Sequence, residues 1–239
     1  MFGYAGKILR VNLVDDEFSD EDFSEDVARE YVGGRGLAAK LLFKELRPGI
    51  EPLGSENKLV FATGPVTGFP CPGNARYGVY AKSPLTGIWG EGYAAGFFGP
   101  ELKFSGYDAV IFEGKAQRPV YLSIYEGRPE IRDAAHLWGK TTGETQANIR
   151  REMKDDRVRV AAIGPGGEKL VRYACVINDL KNSAGRCGMG AVMGSKNLKA
   201  VAVRGTKMLD AADAKALRRL SGIARDESWA GWGEGMNKD

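Results

Sequence analysis

The sequence predicts an α+β fold made mainly of short β-strands. Eight segments are rich in β-branched or aromatic residues and end at turn residues, and only a few helical patterns separate them. Because the strands do not alternate regularly with helices, α+β is favoured over a doubly wound parallel sheet. With 239 residues and 43% apolar composition, the chain can bury a substantial core.

The predicted strands follow from their apolar runs. They span residues 7–14, 58–63, 76–83, 108–114, 120–127, 157–164, 171–179 and 199–205. Two segments that include such strands, 97–114 and 192–205, share one pattern: a short basic stretch after a glycine leads into an apolar run that ends at glycine. This similarity indicates two related lobes.

Three helices are predicted. The first begins after Ser24, a suitable N-cap, and is interrupted by the glycines of residues 33–36, where we expect a break. Thr141 or Thr142 opens the second helix, and residues 210–225 form a final amphipathic helix.

Charge and composition exclude several classes of protein. The chain carries 34 basic and 31 acidic residues, and no basic run is dense enough to follow a nucleic-acid backbone. No apolar run approaches the roughly 20 residues that cross a bilayer, and the first residues lack the features of a secretion signal. We therefore expect a cytoplasmic protein with neither nucleic acid nor a membrane as a partner.

Metal-ligating residue types are sparse. The spacing of Cys71, Cys175 and Cys187 matches no local cluster motif, and their odd number argues against a disulfide framework. The single histidine, His136, lies beside apolar residues and is expected to pack rather than to act in catalysis. We predict no catalytic residue and no metal-ligating side chain in this chain.

Glycine-rich loops are the most informative feature. Glycine permits a positive φ and lets a ligand approach closer than a Cβ would allow. Several such loops predict a broad surface for a large anionic ligand, whereas tight connections without a ligand are the alternative. The glycine spacing matches neither a P-loop nor a dinucleotide-binding fingerprint. The loops span residues 33–36, 63–78, 83–103, 163–171 and 184–190.

Arginines lie in three of these loops. Arg35, Arg76 and Arg186 are the candidates for forked contacts with phosphate oxygens. Ordinary salt bridges are the alternative for each of them.

Eight sequence blocks in a fixed order carry a family resemblance, among them "GGRGLAAKLLFKEL", "ARYGVYAKSPLTG", "AAIGPGGEKLV" and "GAVMGSKNLKAVAVRGTK". From about residue 3 to about residue 208, the chain resembles the N-terminal domain of the tungsten-containing aldehyde:ferredoxin oxidoreductases. The resemblance implies two packed β-sheets flanked by helices, which form the base for a tungsten bis-molybdopterin cofactor (tungstopterin). It implies a cofactor-binding domain at residues 1–208 and the start of further helical domains at 209–239.

The resemblance also assigns cofactor-binding residues. Arg76, in "ARY", matches the family arginine between the pterin and the iron–sulfur cluster. Asn182, Ser183, Gly185 and Arg186 match the second pterin-binding loop, where the family commonly has arginine in place of the asparagine.

The first pterin-binding loop corresponds to the segment that contains Tyr93, Ala95 and Gly96. The family often has Asn-Ser-Gly-Gly here. Tyr93 therefore replaces an amide that, in the family, faces the cofactor.

In the family, two further helical domains carry a 4Fe-4S cluster and the active-site residues. The resemblance therefore implies a partner chain with these domains, and ferredoxin as a partner through that chain; a homodimer is a further option. Because residues 210–225 lead into those domains in the family, we expect Leu209, Leu217 and Leu220 to be exposed.

Three functions fit these observations. The chain is the cofactor-binding part of a tungsten or molybdenum pterin oxidoreductase that oxidises aldehydes to carboxylic acids with ferredoxin, inactive without its partner chain. Alternatively, it is a stand-alone pterin-binding or carrier protein without catalysis, or a truncated, inactive remnant. An adjacent reading frame with the cluster cysteines would favour the first.

Overall fold

The computed structural model describes residues 1–236, with side chains described up to residue 227. Over this part of the chain, twelve strands form two mixed six-stranded sheets, as the predicted α+β class requires. Sheet A contains β1 (Lys7–Asn12), β2 (Glu17–Asp22), β3 (Leu59–Thr63), β4 (Tyr77–Lys82), β5 (Trp89–Ala94) and β6 (Ala109–Glu113). Sheet B contains β7 (Val120–Tyr125), β8 (Arg128–Asp133), β9 (Arg159–Ala162), β10 (Val176–Asn178), β11 (Asn182–Ala184) and β12 (Leu198–Arg204).

Helices cover the sheets and connect their strands. They are α1 (Glu25–Tyr31), α2 (Gly34–Glu45), α3 (Phe98–Phe104), α4 (Thr142–Met153), α5 (Pro165–Glu168), α6 (Met189–Ser195) and α7 (Ala214–Met236). A short 3-10 turn spans Ala135–Leu137.

The two sheets repeat one topology. Sheet A has the order β2-β1-β6-β3-β4-β5, and sheet B has the order β8-β7-β12-β9-β10-β11, so each strand of sheet B occupies the place of the strand six positions earlier. In each sheet, one central pair is parallel, β1 with β6 and β7 with β12, and the other pairs are antiparallel. The similarity between residues 97–114 and 192–205 is therefore structural, because α3–β6 and α6–β12 are equivalent units.

The core has three parts. Apolar side chains from both sheets, such as Phe61 and Val79 from sheet A and Leu122 and Val201 from sheet B, meet between the sheets with side chains of α3 and α6. A second cluster lies between sheet A and helices α1 and α2, and a third includes Ile149 of α4 on the outer face of sheet B. Both sheets are thus buried on two faces, which explains the continuous apolar runs of their central strands.

The helix starts follow local sequence signals. Ser24 caps α1 by accepting a hydrogen bond from Val27 N, and the predicted break separates α1 from α2. Val32 and Gly33 adopt φ values of 63° and 127° there. Thr141 caps α4 in a capping box with Glu144, which identifies Thr141 rather than Thr142 as the cap.

Several elements differ from the sequence-based prediction. Residues 83–103, expected to be a loop, contain β5 and α3, and the predicted 163–171 loop contains α5. The outer strands β2 and β8 are mostly polar and β11 has only three residues, so no apolar run marks any of them. The strand predicted over 171–179 is reduced to Val176–Asn178.

Helix α7 begins at Ala214, later than predicted, and its predicted apolar stripe is only partly exposed. Leu220 is 53% exposed, whereas Leu209 and Leu217 are half-buried. Leu209 packs beside Gly68, because a Cβ added to Gly68 would lie 3.0 Å from Leu209 Cδ1. Within the described residues, no helix has the length and apolar character needed to cross a membrane.

An ion-pair network joins α2 to sheet A. Arg10 on β1 donates to both carboxylate oxygens of Glu45 at 2.6 and 3.0 Å, and Lys58 donates to the same carboxylate at 2.5 Å. Burial raises the pKa of the Glu45 carboxyl, but the hydrogen bonds from Arg10 and Lys58 outweigh burial and lower it to about 2.

Acid should remove the contribution of Glu45 to stability. Because its pKa is lowered on folding, this contribution is complete above about pH 4.5 and is lost as the pH falls towards 2. We expect Glu45→Gln to reduce the free energy of unfolding by on the order of 2–3 kcal/mol at neutral pH and by much less near pH 2. Urea unfolding of both proteins across this range measures the difference, and a constant difference would contradict the prediction.

Candidate functional site

The two sheets meet where their edge strands β5 and β11 pack against each other, a contact that we call the seam. A Cβ on Gly92 of β5 would lie 3.1 Å from the carbonyl carbon of Ala184, and one on Gly90 would lie 2.7 Å from Met189 Cε. The glycines that suggest a loop in the sequence therefore belong to a strand that must approach its neighbour closely.

Two candidate binding segments meet at one end of the seam. Gly96 adopts φ 91°, and a Cβ there would lie 2.6 Å from Asn182 Nδ2 and 2.5 Å from Asp179 Oδ2. The first and second loops of the candidate site are therefore adjacent, and only glycine fits at Gly96 without displacing its neighbours.

Asn178 and Asp179 hold the first loop in place, although neither residue is among the candidates predicted from the sequence. Asn178 Nδ2 donates to the Ala95 carbonyl at 2.8 Å, and Asp179 Oδ2 accepts a hydrogen bond from Phe97 N at 2.7 Å. Tyr77 donates to Asn178 Oδ1 at 3.0 Å; burial, with the charge of Asp179, raises the pKa of Tyr77 and keeps this donor protonated. Their position at the end of the predicted strand 171–179 was the available signal.

A cavity of about 250 Å³ opens beside this end of the seam. It lies between the start of α2 and the ends of β3, β4 and β5. Arg76 and Tyr93 both line it, so the structure brings these two predicted residues together. Among the described residues, the lining contains no acidic side chain; it consists of Gly34, Arg35, Ala62, Gly64, Val66, Thr67, Gly73, Asn74, Arg76, Tyr77, Gly78, Tyr80 and Tyr93.

Arg35 and Arg76 differ in how they are paired. Arg35 makes a forked salt bridge to Glu91, at 2.7 and 2.6 Å, and its Nε lies 2.9 Å from the Tyr93 hydroxyl. For Arg35, the ordinary salt-bridge interpretation therefore holds. Arg76 is exposed, and its guanidinium makes no hydrogen bond or ion pair within the part of the chain that the structure describes.

Tyr93 points to the α2 side of sheet A. Its hydroxyl donates to Glu91 Oε2 at 3.1 Å, and its ring packs edge-to-face on Tyr80 with centroids 6.0 Å apart. Burial raises the pKa of Glu91, but the hydrogen bonds from Arg35, Trp89 and Tyr93 outweigh burial, and the pKa is lowered overall. Glu91 therefore stays ionised, and the pKa of Tyr80 is raised chiefly by burial, so neither group exchanges a proton near neutral pH.

The second loop runs along the seam away from Arg76. Asn182 is half-buried, and Ser183, Gly185 and Arg186 are exposed at the end of β11. No hydrogen bond or ion pair of the Arg186 guanidinium occurs among the described side chains.

Arg76 and Arg186 lie at opposite ends of β5. Tyr77 pairs with Ala94, which places Arg76 beside the end of β5. The loop after Arg186 instead contacts the turn that leads into the start of β5, because Ser83 Oγ donates to the Cys187 carbonyl at 2.8 Å and Ser83 N donates to the Ile88 carbonyl. A six-residue strand spans roughly 20 Å, so the backbone segments that carry the two arginines lie far apart.

The remaining candidate residues form no metal site. All three cysteines are free, and the described residues contain no group of three or more histidine, cysteine or acidic side chains arranged to hold a metal ion. His136 lies at the surface, with its Nε2 2.6 Å from Glu152 Oε1.

Comparison with known proteins identifies the family. The model of the aldehyde ferredoxin oxidoreductase N-terminal domain matches residues 8–205. The chain belongs to the aldehyde ferredoxin oxidoreductase family. The resemblance seen in the sequence blocks is thereby confirmed.

Relatives within and around this family cover most of the chain. The tungsten-containing aldehyde ferredoxin oxidoreductase of Pyrococcus furiosus is 51% identical over 213 residues, which are 89% of this chain and 35% of that protein. The WOR-like subunit of aliphatic sulfonate oxidoreductase from the same organism is 40% identical over 222 residues, 86% of this chain and 35% of that protein. The chain thus spans about a third of the length of these relatives.

A solved structure confirms the fold. A chain of the active site complex BamBC of benzoyl coenzyme A reductase, in complex with 1,5-dienoyl-CoA, superposes with a TM-score of 0.92. It is 41% identical, and the match covers 94% of this chain and 34% of that one. The two-sheet architecture is therefore that of the aldehyde ferredoxin oxidoreductase N-terminal domain.

The residues at the cavity suit the anionic pterin implied by the family. Helix α2 begins without a side-chain cap at the cavity wall, so the positive end of its dipole faces the same space as the unpaired Arg76. Glycines on several sides leave room for a flat ring. The chemistry of the lining therefore fits a phosphate-bearing ring system.

Substitution of Gly96 should loosen the seam. Gly96→Ala forces a positive φ on alanine and places a methyl group against Asn182 and Asp179, so we expect a loss of about 2–4 kcal/mol in the free energy of unfolding. Gly87→Ala is the control, because Gly87 has φ 74° but open space around a Cβ, and it should cost only about 1 kcal/mol. Denaturant unfolding measures both, and equal losses would count against close contact at Gly96.

Proposed function

We propose that this chain is the cofactor-binding portion of a tungsten, or molybdenum, pterin oxidoreductase. The complete enzyme oxidises aldehydes to carboxylic acids and passes the electrons to ferredoxin. Its 4Fe-4S cluster and active-site residues belong to the helical domains that make up the rest of the relatives' length. The 51% identity to a tungsten-containing aldehyde ferredoxin oxidoreductase supports this substrate class over those of the relatives at about 40% identity.

The unpaired guanidinium of Arg76 is the observation that carries this proposal. An exposed arginine beside an acid-free cavity and an uncapped helix start has the charge and the donors to bind a phosphate or a ring oxygen. Arg35, by contrast, is neutralised by Glu91 and holds the wall of the cavity.

The second loop supplies a matching set of donors. Ser183 and Arg186, with the backbone at Gly185, are exposed on the other half of the repeated fold. A ligand with two anionic arms, such as a bis-pterin, could therefore contact one arginine with each arm. Gly96 lets the first loop lie against the Asn182 side chain, and the Ala95 carbonyl accepts a hydrogen bond from Asn178.

The residue types of the cavity indicate that this chain binds the cofactor and that the cofactor supplies the redox chemistry. When bound, the cofactor would supply the two-electron redox chemistry of aldehyde oxidation. The cavity residues of this chain bind and orient it. Neither Tyr80 of the lining nor Glu91, which pairs with Arg35, exchanges a proton near neutral pH. We therefore expect no turnover by this chain without the cluster-carrying domains.

Replacement of Arg76 should release the cofactor. A lysine cannot make forked contacts with two phosphate oxygens, so we expect Arg76→Lys to retain roughly ten-fold less pterin and tungsten per chain. Both proteins are produced anaerobically with tungstate and with the cluster-carrying domains, and pterin fluorescence and elemental analysis measure the content.

The control is Arg47→Lys, because Arg47 is also exposed but lies beyond the other end of α2. It should leave the pterin content and the thermal midpoint unchanged. Equal pterin content in wild type and Arg76→Lys would contradict the proposed role, and a large loss of stability in the protein without cofactor would make Arg76 a structural residue.

An apolar groove beside the cavity is the proposed contact for the cluster-carrying domains. It has a volume of about 370 Å³ and lies between α7 and the loop after β3. Phe2, Val66 and Leu220 line it and are each more than half exposed. Val66 also lines the Arg76 cavity, so an element in the groove would cover the cavity mouth.

A charge in this groove should weaken that contact. We expect Leu220→Lys to reduce the association with the cluster-carrying domains, supplied as a separate chain, by roughly ten-fold, because a buried leucine contributes about 1.5–3 kcal/mol. Phe43→Lys is the control, since Phe43 is 94% exposed on α2, away from the groove. Sedimentation of the mixed chains measures association, and equal binding by wild type and Leu220→Lys would exclude the groove as the contact.

A further inference from the structure

A fully buried lysine holds the loop that carries the cavity wall. Lys103 on α3 has no exposed surface, and its Nζ donates to the backbone carbonyls of Gly3, Gly64 (2.9 Å) and Pro65 (3.3 Å). The nearest acidic atom, Asp108 Oδ1, lies 3.6 Å away. The ammonium group is therefore bound mainly by main-chain oxygens.

A buried ammonium group is costly unless its protons are bonded. Burial lowers the pKa of Lys103 to about 8, so the group is still charged at neutral pH. Three carbonyls from two separate segments satisfy it. These hydrogen bonds hold the carbonyls of the Gly64–Pro65 turn towards the interior.

A chain of hydrogen bonds leads from this turn to Arg76. The N–H of Gly64 donates to Thr67 Oγ1 at 3.2 Å, and the Thr67 hydroxyl donates to the Arg76 carbonyl at 3.1 Å. Thr67 is buried, and its own N–H donates back to the Gly64 carbonyl at 3.2 Å. Gly64, Thr67 and Arg76 all line the cavity, so this chain connects Lys103 to the candidate binding surface.

The other half of the repeated fold has a similar arrangement. Lys199 is also fully buried, and it donates to the carboxylate of Glu168 in α5 and to the Lys140 carbonyl at 2.8 Å. Helix α5 follows β9 as the Gly64–Thr67 loop follows β3. Each half therefore uses a buried lysine to hold the segment after its third strand.

We propose that Lys103 is a positioning residue that fixes the backbone at Arg76 through Gly64 and Thr67. Its relevance to cofactor binding rests on the function proposed above. The effect of Lys103 on the loop does not depend on that function, because the hydrogen bonds lie within the chain itself.

Lys196 provides a matched control. It is fully buried, burial lowers its pKa to about 8, and its Nζ donates to the carbonyls of Gly114 (2.8 Å) and Ser55 (3.5 Å). It makes none of these contacts with the cavity loop. Lys103→Met and Lys196→Met thus remove the same group from equally buried sites, and only the first site adjoins the cavity.

The test compares hydrogen exchange in the 239-residue chain without cofactor. We expect Lys103→Met to speed exchange at the Thr67 amide at least ten-fold, and Lys196→Met to leave that amide within about two-fold of wild type. Lys103→Met leaves the buried Asp108 carboxylate without its lysine, which could itself destabilise the protein. Lys103→Met/Asp108→Asn removes both charges and therefore relieves that destabilisation. It should not restore the protection of the Thr67 amide against hydrogen exchange. Thr67→Val removes the hydrogen bond to the Arg76 carbonyl without changing a buried charge. It therefore tests the connection from this loop to Arg76 even if both lysine variants fail to fold.

Pterin and tungsten content, measured after anaerobic production with the cluster-carrying domains, gives the second readout. Lys103→Met and Thr67→Val should each lose cofactor at least five-fold, whereas Lys196→Met should retain it. Equal loop exchange in Lys103→Met and Lys196→Met, or full cofactor retention in Thr67→Val, overturns the positioning role. A wild-type protein that holds no pterin would instead overturn the proposed function, while the exchange data still decide the role of Lys103.

Discussion

The close approach of β5 to β11 is the constraint on which the other features depend. Each sheet ends in an edge strand, and the close approach of these two edges requires that β5 lack side chains on the facing side. Gly90 and Gly92 meet this requirement, and Gly96 continues it into the loop. With a Cβ at these positions, the sheets would separate, the interior between them would open, and the two candidate loops would move apart.

The repeated topology places the two candidate loops at equivalent positions of the two halves. Two halves with the same strand order meet at equivalent edge strands, so each half contributes one loop and one unpaired arginine. The arginines lie at opposite ends of the seam rather than side by side. A small anion could engage only one of them, whereas an elongated ligand could engage both. Under the proposed function, this placement would favour an elongated anionic ligand over a small anion.

The sequence predicts the parts of this molecule that depend on local signals. Central strands such as β3 and β12 are buried on both faces and appear as apolar runs, and the helix start at Thr141 follows from its capping residues. The predicted loop over 83–103 was wrong because the glycines of β5 respond to a neighbour that is distant in sequence. For the same reason, composition alone could not separate the paired Arg35 from the unpaired Arg76. The bond chain from Lys103 to Arg76 is likewise invisible in the sequence, since it depends on three segments brought together by the fold.

The outer strands β2 and β8 affect the tendency of the chain to aggregate. A sheet edge with free N–H and C=O groups can recruit further strands and seed aggregates. In each sheet, one edge strand packs at the seam. The other edge strand of sheet A is β2, "EFSDED", whose acidic residues disfavour strand addition. The other edge strand of sheet B is β8, "RPEIRD", whose arginines and proline do the same. A chain built in this way resists edge-to-edge aggregation by the composition of its outer strands alone, whatever covers the rest of its surface.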